Sequence, residues 1–150
     1  MNTTATGTGV IEALRGVVAG SYALLAQTHL CHWNVRGPGF FALHQAFEVQ
    51  YTELFAGIDE IAERVRSLGA LAPGGLGSLG KMAGMPELHE DASADEMVKH
   101  LAACNEQVVS LAAKAREAAA AADDKETEDM MIARIQIHEK TIWMLKSFLG

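Results

Sequence analysis

Between Phe40 and Leu68 an apolar or aromatic side chain returns every three or four residues, at Phe40, His44, Phe47, Tyr51, Leu54, Ile58, Ile61, Val65 and Leu68. That spacing belongs to an α-helix with one buried face, sustained for about eight turns and ended by Gly69. A strand alternates its side chains with period two and cannot gather this stripe on one side. The same period runs through Leu14, Val18, Tyr22, Leu25, His29, His32 and Arg36, up to the breaker Gly37-Pro38-Gly39. It appears again in Met97, Leu101, Cys104, Val108 and Leu111, and in Met131, Ile135, His138, Ile142, Leu145 and Leu149.

Four such helices need partners for their apolar faces, and the connections dictate the pairing. The first two are joined by a short turn and pack as an antiparallel pair. Between Gly69 and Asp91 lies a Gly-rich stretch with two of the three prolines, long enough to cross the bundle and to hold one short helical turn near 76–82. Ser93 and Glu96 have the spacing of a capping box at the start of the third helix. The acidic run DDKETED, 123–129, suits the positive end of the fourth. Two hairpins and one long middle crossover predict an all-α, ferritin-like four-helix bundle over residues 10–150, preceded by a mobile Thr/Gly-rich tail over 1–9.

At 150 residues this is one domain, large enough to bury a core without disulfides or a structural metal. The net charge of −7 argues against nucleic-acid binding by overall attraction. No basic segment followed by an apolar one marks a signal peptide, so a cytoplasmic protein is expected. Cys31 and Cys104 read as buried packing residues.

Bundles of this type often hold paired irons through Glu-x-x-His motifs, and this chain contains none. A metal site would have to be assembled differently. The candidates are His32 on the first helix, and His44, Glu48, Asp59 and Glu63 on the second. Glu48 follows His44 by four residues and Glu63 follows Asp59 by four, so each pair shares a helix face. On a surface helix the acids alone would be a solvated face, and lone histidines on an apolar stripe would be core residues. Two histidines flanking one turn, with an acidic pair on the same face, weaken the core reading and leave metal binding as its alternative. His44 and Asp59 are nevertheless fifteen residues apart, about 22 Å along a helix, too far to share an ion within one chain. A two-fold axis across the middle of the second helix would solve this by bringing the carboxylates of one subunit to the histidines of another. Imidazole with carboxylate suits Fe(II).

His-Trp-Asn at 32–34, the Gly-rich turn, the second histidine twelve residues after the first, Asp-x-x-x-Glu at 59–63 and IHEKTIWMLKSFL near the C-terminus together resemble the Dps family of mini-ferritins. The resemblance implies a hollow dodecamer that oxidises Fe(II), preferably with hydrogen peroxide, stores the ferric product and protects against oxidative stress. It implies a two-iron site at a two-fold interface with His32, His44, Asp59 and Glu63 as ligands and Glu48 as a further acid, at a position where many members carry Asp. Trp33 matches a tryptophan near that site, with packing as its plain role. The acids Asp123, Asp124, Glu126, Glu128 and Asp129 either line a three-fold entry pore or cap the fourth helix. His29 is placed to tune the site, and His138 reads as a core histidine. The family's other activity is DNA compaction, in which case the metal site would be secondary or vestigial. Residues 1–14 contain no Lys or Arg, so DNA binding is expected to be weak or absent.

Overall fold

The computed structural model describes residues 3–150 and is helical throughout its regular structure, with no strand among the described residues. The helices are α1 (Thr3–Asn34), α2 (Phe40–Ser67), α3 (Leu76–Ala83), α4 (Ala94–Ala121) and α5 (Lys125–Leu149). Four long helices form the bundle, and the short α3 lies within the crossover and packs on α1.

Every stripe named from the sequence faces inward at its centre. Leu14, Val18 and Leu25 on α1, Phe47, Leu54, Ile58, Ile61 and Val65 on α2, Met97, Leu101, Cys104 and Val108 on α4, and Met131, Ile135 and Leu145 on α5 are all buried. The buried face of α1 is wider than its stripe and also takes in Val10, Val17, Leu24, Cys31 and Val35, because α1 packs against α2, α3 and α4 together. The alanine run of α4 is likewise core: Ala112, Ala115 and Ala119 are fully buried, small enough to let neighbouring helices approach closely. Burial pushes the Cys31 thiol up to about 12 and the Cys104 thiol to about 11, so both stay protonated and unreactive.

Two boundaries correct the sequence reading. Helix α1 begins at Thr3, so residues 3–9 of the expected mobile tail are helical, and residues 1 and 2 lie outside the described residues. The Thr/Gly composition weakens helix propensity there, but Val10 is buried and Gly7 lines a cavity with Leu68 and Ala122, so contact with the rest of the bundle outweighs propensity. At the other end α1 stops at Asn34, three residues short of the Gly-Pro-Gly breaker. Pro38 disfavours helical backbone at Gly37, which takes φ 106°.

The capping box at Ser93 is complete: the Ser93 hydroxyl accepts from the Glu96 N–H, and the Ser93 N–H donates to the Glu96 carboxylate at 2.7 Å. Asp124 caps α5 by accepting from the Thr127 N–H at 3.1 Å and the Thr127 hydroxyl at 2.6 Å, while Arg64 of α2 reaches it at 2.8 Å.

Inside the bundle lies a polar chain that the sequence did not announce. The Asn105 amide donates to the Leu101 carbonyl, His138 Nδ1–H donates to Asn105 Oδ1 at 2.8 Å, and Arg134 donates to His138 Nε2 at 3.1 Å and to the Glu53 carboxylate. Asn105, Arg134 and His138 are all buried, and each finds its partner on another helix or one turn away. Gly57 is required beside it, because a Cβ there would overlap the Arg134 guanidinium, which cannot retreat without leaving Glu53.

Candidate metal centre

The turn between α1 and α2 brings His32 and His44 face to face. Their rings stack with centroids 3.8 Å apart and planes 14° from parallel. His32 Nδ1–H donates to the backbone carbonyl of His44 at 2.7 Å, and His44 Nδ1–H donates to the carbonyl of His32 at 2.7 Å. This reciprocal clamp decides the tautomer of the neutral rings: a carbonyl only accepts, so each Nδ1 carries the proton and the lone pair falls on Nε2. Two unprotonated nitrogens are thereby held side by side, as a metal-binding histidine pair requires. His32 is buried and His44 half-buried, so the pair is shielded yet reachable.

Aromatic rings complete the wall. Phe40 stacks on His44 at 5.0 Å, and Tyr51 stands edge-on to His32 at 5.1 Å. His29 is tilted against Tyr51 at 4.2 Å and stacked on Trp33 at 4.8 Å. Burial lowers the His29 pKa, with His32 lowering it further, which favours the neutral ring beside the pair. Trp33 itself is 67% exposed.

The carboxylates stand elsewhere. Glu48, Asp59 and Glu63 are exposed on the outward face of α2, and Asp59 also lines a cavity with Tyr22, Phe55 and Leu76. At about 100° per residue, Phe41, Gln45, Glu48, Val49, Thr52, Phe55, Ala56, Asp59 and Glu63 fall on one side of α2, and all nine are exposed. Among the described residues, no three His, Cys, Asp or Glu side chains gather where one ion would bind. Within a single chain the structure therefore brings together His32 and His44 and leaves Glu48, Asp59 and Glu63 apart. The outward face of α2 is meanwhile unusual for a solvated helix, since Phe41 is 83%, Val49 70% and Phe55 67% exposed between the acids.

The remaining candidates separate cleanly. Asp124 is committed to the α5 cap and to Arg64, and Asp123 and Glu128 pair with Lys125, leaving Glu126 and Asp129 as exposed acids of that cluster without such an ion pair. His138 belongs to the buried polar chain, as a core histidine should. His100 Nε2–H donates to Gln27 Oε1 at 2.8 Å, and His89 pairs with Asp91 on the surface. Tyr51, and the carbonyls that fix both imidazoles, were missed in sequence. Tyr51 gave the signal of sitting seven residues after His44 on the same stripe, whereas the backbone clamp has no sequence signature.

The chain's comparisons agree with this architecture. A family model described as a ferritin-like domain matches residues 11–150. The DNA protection during starvation protein of Brevibacillus brevis is 40% identical over 140 residues, covering 93% of this chain and 94% of that protein. The crystal structure of a Dps protein from Bacillus brevis superposes with a TM-score of 0.94 at 38% identity, covering 98% of this chain and 99% of that one. A Dps structure from Vibrio cholerae O1, described as a member of a broad superfamily of ferritin-like diiron-carboxylate proteins, gives 0.93 at 28% identity over 98% of this chain and 92% of that one. With the fold, the paired histidines and these likenesses spanning nearly its whole length, the chain belongs to the Dps family of ferritin-like proteins.

Proposed function

We propose that this protein oxidises Fe(II) with hydrogen peroxide and stores the ferric product within a hollow dodecamer, protecting the cell against oxidative stress. The observation that carries this reading is the division of the donor set: two clamped imidazoles with free Nε2 atoms at one end of α2, and Asp59 and Glu63 about 22 Å away along the same helix. Antiparallel docking of two α2 helices about a two-fold axis near Thr52 sets the Asp59 end of one against the His44 end of the other. The dimer then carries two equivalent sites, each with His32 and His44 from one subunit and Asp59 and Glu63 from the other, with Glu48 as a neighbouring acid. The exposed Phe41, Val49 and Phe55 supply apolar area for that interface.

Iron is substrate here. Nitrogen and carboxylate donors together suit Fe(II), and carboxylates favour the Fe(III) product. Two irons held together deliver both electrons to one peroxide, so that hydrogen peroxide leaves as two water molecules and not as a hydroxyl radical. Cytoplasmic location fits this role. DNA compaction is the lesser reading: the net charge is −7 and residues 1–14 lack Lys and Arg.

Mixing variants tests the shared site directly. His32→Ala with His44→Ala, and separately Asp59→Ala with Glu63→Ala, are each expected to abolish fast peroxide-dependent Fe(II) oxidation. Co-assembled, the two double variants regain activity, because half the sites in a mixed dimer combine intact histidines with intact carboxylates. Absence of complementation in verified mixed assemblies would refute the interface-shared site.

A further inference from the structure

The centre of the bundle holds a donor set that the proposed iron chemistry leaves unused. One nitrogen of Arg134, Nη2, stands 3.1 Å from His138 Nε2 and 3.2 Å from Glu53 Oε2, while Nη1 donates to Glu53 Oε1. The guanidinium thus fills the point on which a carboxylate and an imidazole lone pair converge. His138 is held as a metal-ligating histidine is held. Its Nδ1–H donates to Asn105 Oδ1, which fixes the tautomer and aims Nε2, and Asn105 is itself anchored on the Leu101 carbonyl. Thr28, Gln50 and Thr141 line one small pocket with Glu53, Asn105 and His138, adding oxygen donors. Facing side chains at the core of a four-helix bundle are where such folds build metal sites.

We infer that Arg134 is a built-in cation that keeps iron out of the bundle centre, where Glu53 and His138 would otherwise bind a divalent first-row ion such as Fe(II). The inference rests on the ferroxidase reading above only in naming iron as the ion excluded. A guanidinium donates hydrogen bonds and carries positive charge, so it satisfies both acceptors and repels a second cation from the same point. Stability alone gives little reason for such a group, because apolar side chains of similar volume often match or better a buried ion pair. The fold nonetheless makes room for it: the Arg134 side chain is 6% exposed, and α2 carries Gly57 where any Cβ would overlap the guanidinium. Exclusion matters because Glu53, its side chain 38% exposed, also lines the outward groove of α2 beside Glu48 and Thr52, close to where the proposed interface gathers iron. An ion held in the centre would be withdrawn from the paired site.

Cobalt(II), which reports its ligands by visible absorption, stands in for Fe(II) in the test. Every protein compared carries His32→Ala and His44→Ala, so the proposed interface site is disabled throughout. To that background Arg134→Ala, Arg134→Gln and Arg134→Lys are added separately, and binding is followed by calorimetry and by the cobalt spectrum. The alanine and glutamine variants are expected to gain one cobalt per chain, with affinity at least about a hundredfold above the background, as removal of a like charge a few ångströms away allows. Arg134→Lys, which keeps the charge, stays at background. Adding Glu53→Gln to Arg134→Ala abolishes the gained site. In a charge-removed variant that folds poorly, recovery of helix content on adding cobalt counts as the same gain. No gain in either charge-removed variant, an equal gain in Arg134→Lys, or a gain indifferent to Glu53→Gln overturns the inference, as does cobalt bound at the bundle centre with Arg134 intact. Because the interface histidines are absent from every sample, none of these results touches the ferroxidase reading, which the mixed assemblies test on their own.

Discussion

His138 shows how far a single residue's role depends on its surroundings. Burial, reinforced by the Arg134 guanidinium, lowers its pKa from 6.5 to about 3. The neutral ring is needed, because Nε2 accepts from Arg134 while Nδ1–H donates to Asn105, and a proton on Nε2 would set two donors against each other beside a like charge. In the unfolded chain the same imidazole protonates near 6.5. The unfolded state therefore binds the extra proton first, so the stability from neutral His138 is fully present above about 6.5 and is lost as pH falls toward about 3. Denaturant titrations between pH 7 and pH 4 are expected to show stability falling with acid, with a shallower slope in His138→Gln. Equal slopes would mean that other groups govern acid sensitivity. The position of His138 on an apolar stripe was legible in the sequence, but its partners were not, since Asn105 lies 33 residues away and Glu53 joins through Arg134 across 81.

Among the elements, α2 is the one on which the proposed chemistry depends, and its two ends are fixed by different means. Near its start the reciprocal imidazole-to-carbonyl bonds weld it to the end of α1. Near its finish Arg64 reaches across to the N-terminal cap of α5, donating to Thr127 and Asp124. Burial raises the Asp124 pKa, but hydrogen bonds from Thr127 and the charge of Arg64 outweigh it and hold the carboxyl below its usual value. Asp124→Ala removes the helix cap and the partner of Arg64 together, and a loss of about 1–2 kcal/mol is expected by chemical denaturation. Asp124→Asn keeps most of the cap, so the difference between the two variants measures the tie between α2 and α5. The acidic run announced a helix start correctly, while the choice of Asp124 as cap over Asp123 follows from the turn itself, where Asp123 takes φ 56°.

The whole molecule presents a puzzle if taken as a monomer: a long helix face carrying exposed phenylalanines between carboxylates, and a histidine pair lacking acids of its own. The proposed assembly through α2 would resolve both. Light scattering of Thr52→Arg, which places a like charge against its own symmetry mate at the centre of the proposed two-fold contact, is expected to show loss of the assembled species, and peroxide-dependent iron oxidation should fall with it. An assembly of unchanged size and activity would move the interface elsewhere.

The sequence by itself determined the helices, their apolar faces, the capping box and the pairing of α1 with α2, because all of these follow from spacings of a few residues along one chain. It also exposed the height mismatch between His44 and Asp59, which is helix arithmetic. Tertiary structure decided the rest: that α1 starts as early as Thr3, that Asn105, Arg134, His138 and Glu53 form one buried chain, and that both imidazoles present Nε2. These depend on contacts between helices, where the angle and depth of packing choose the partner, and no local pattern encodes a hydrogen bond to a carbonyl twelve residues away.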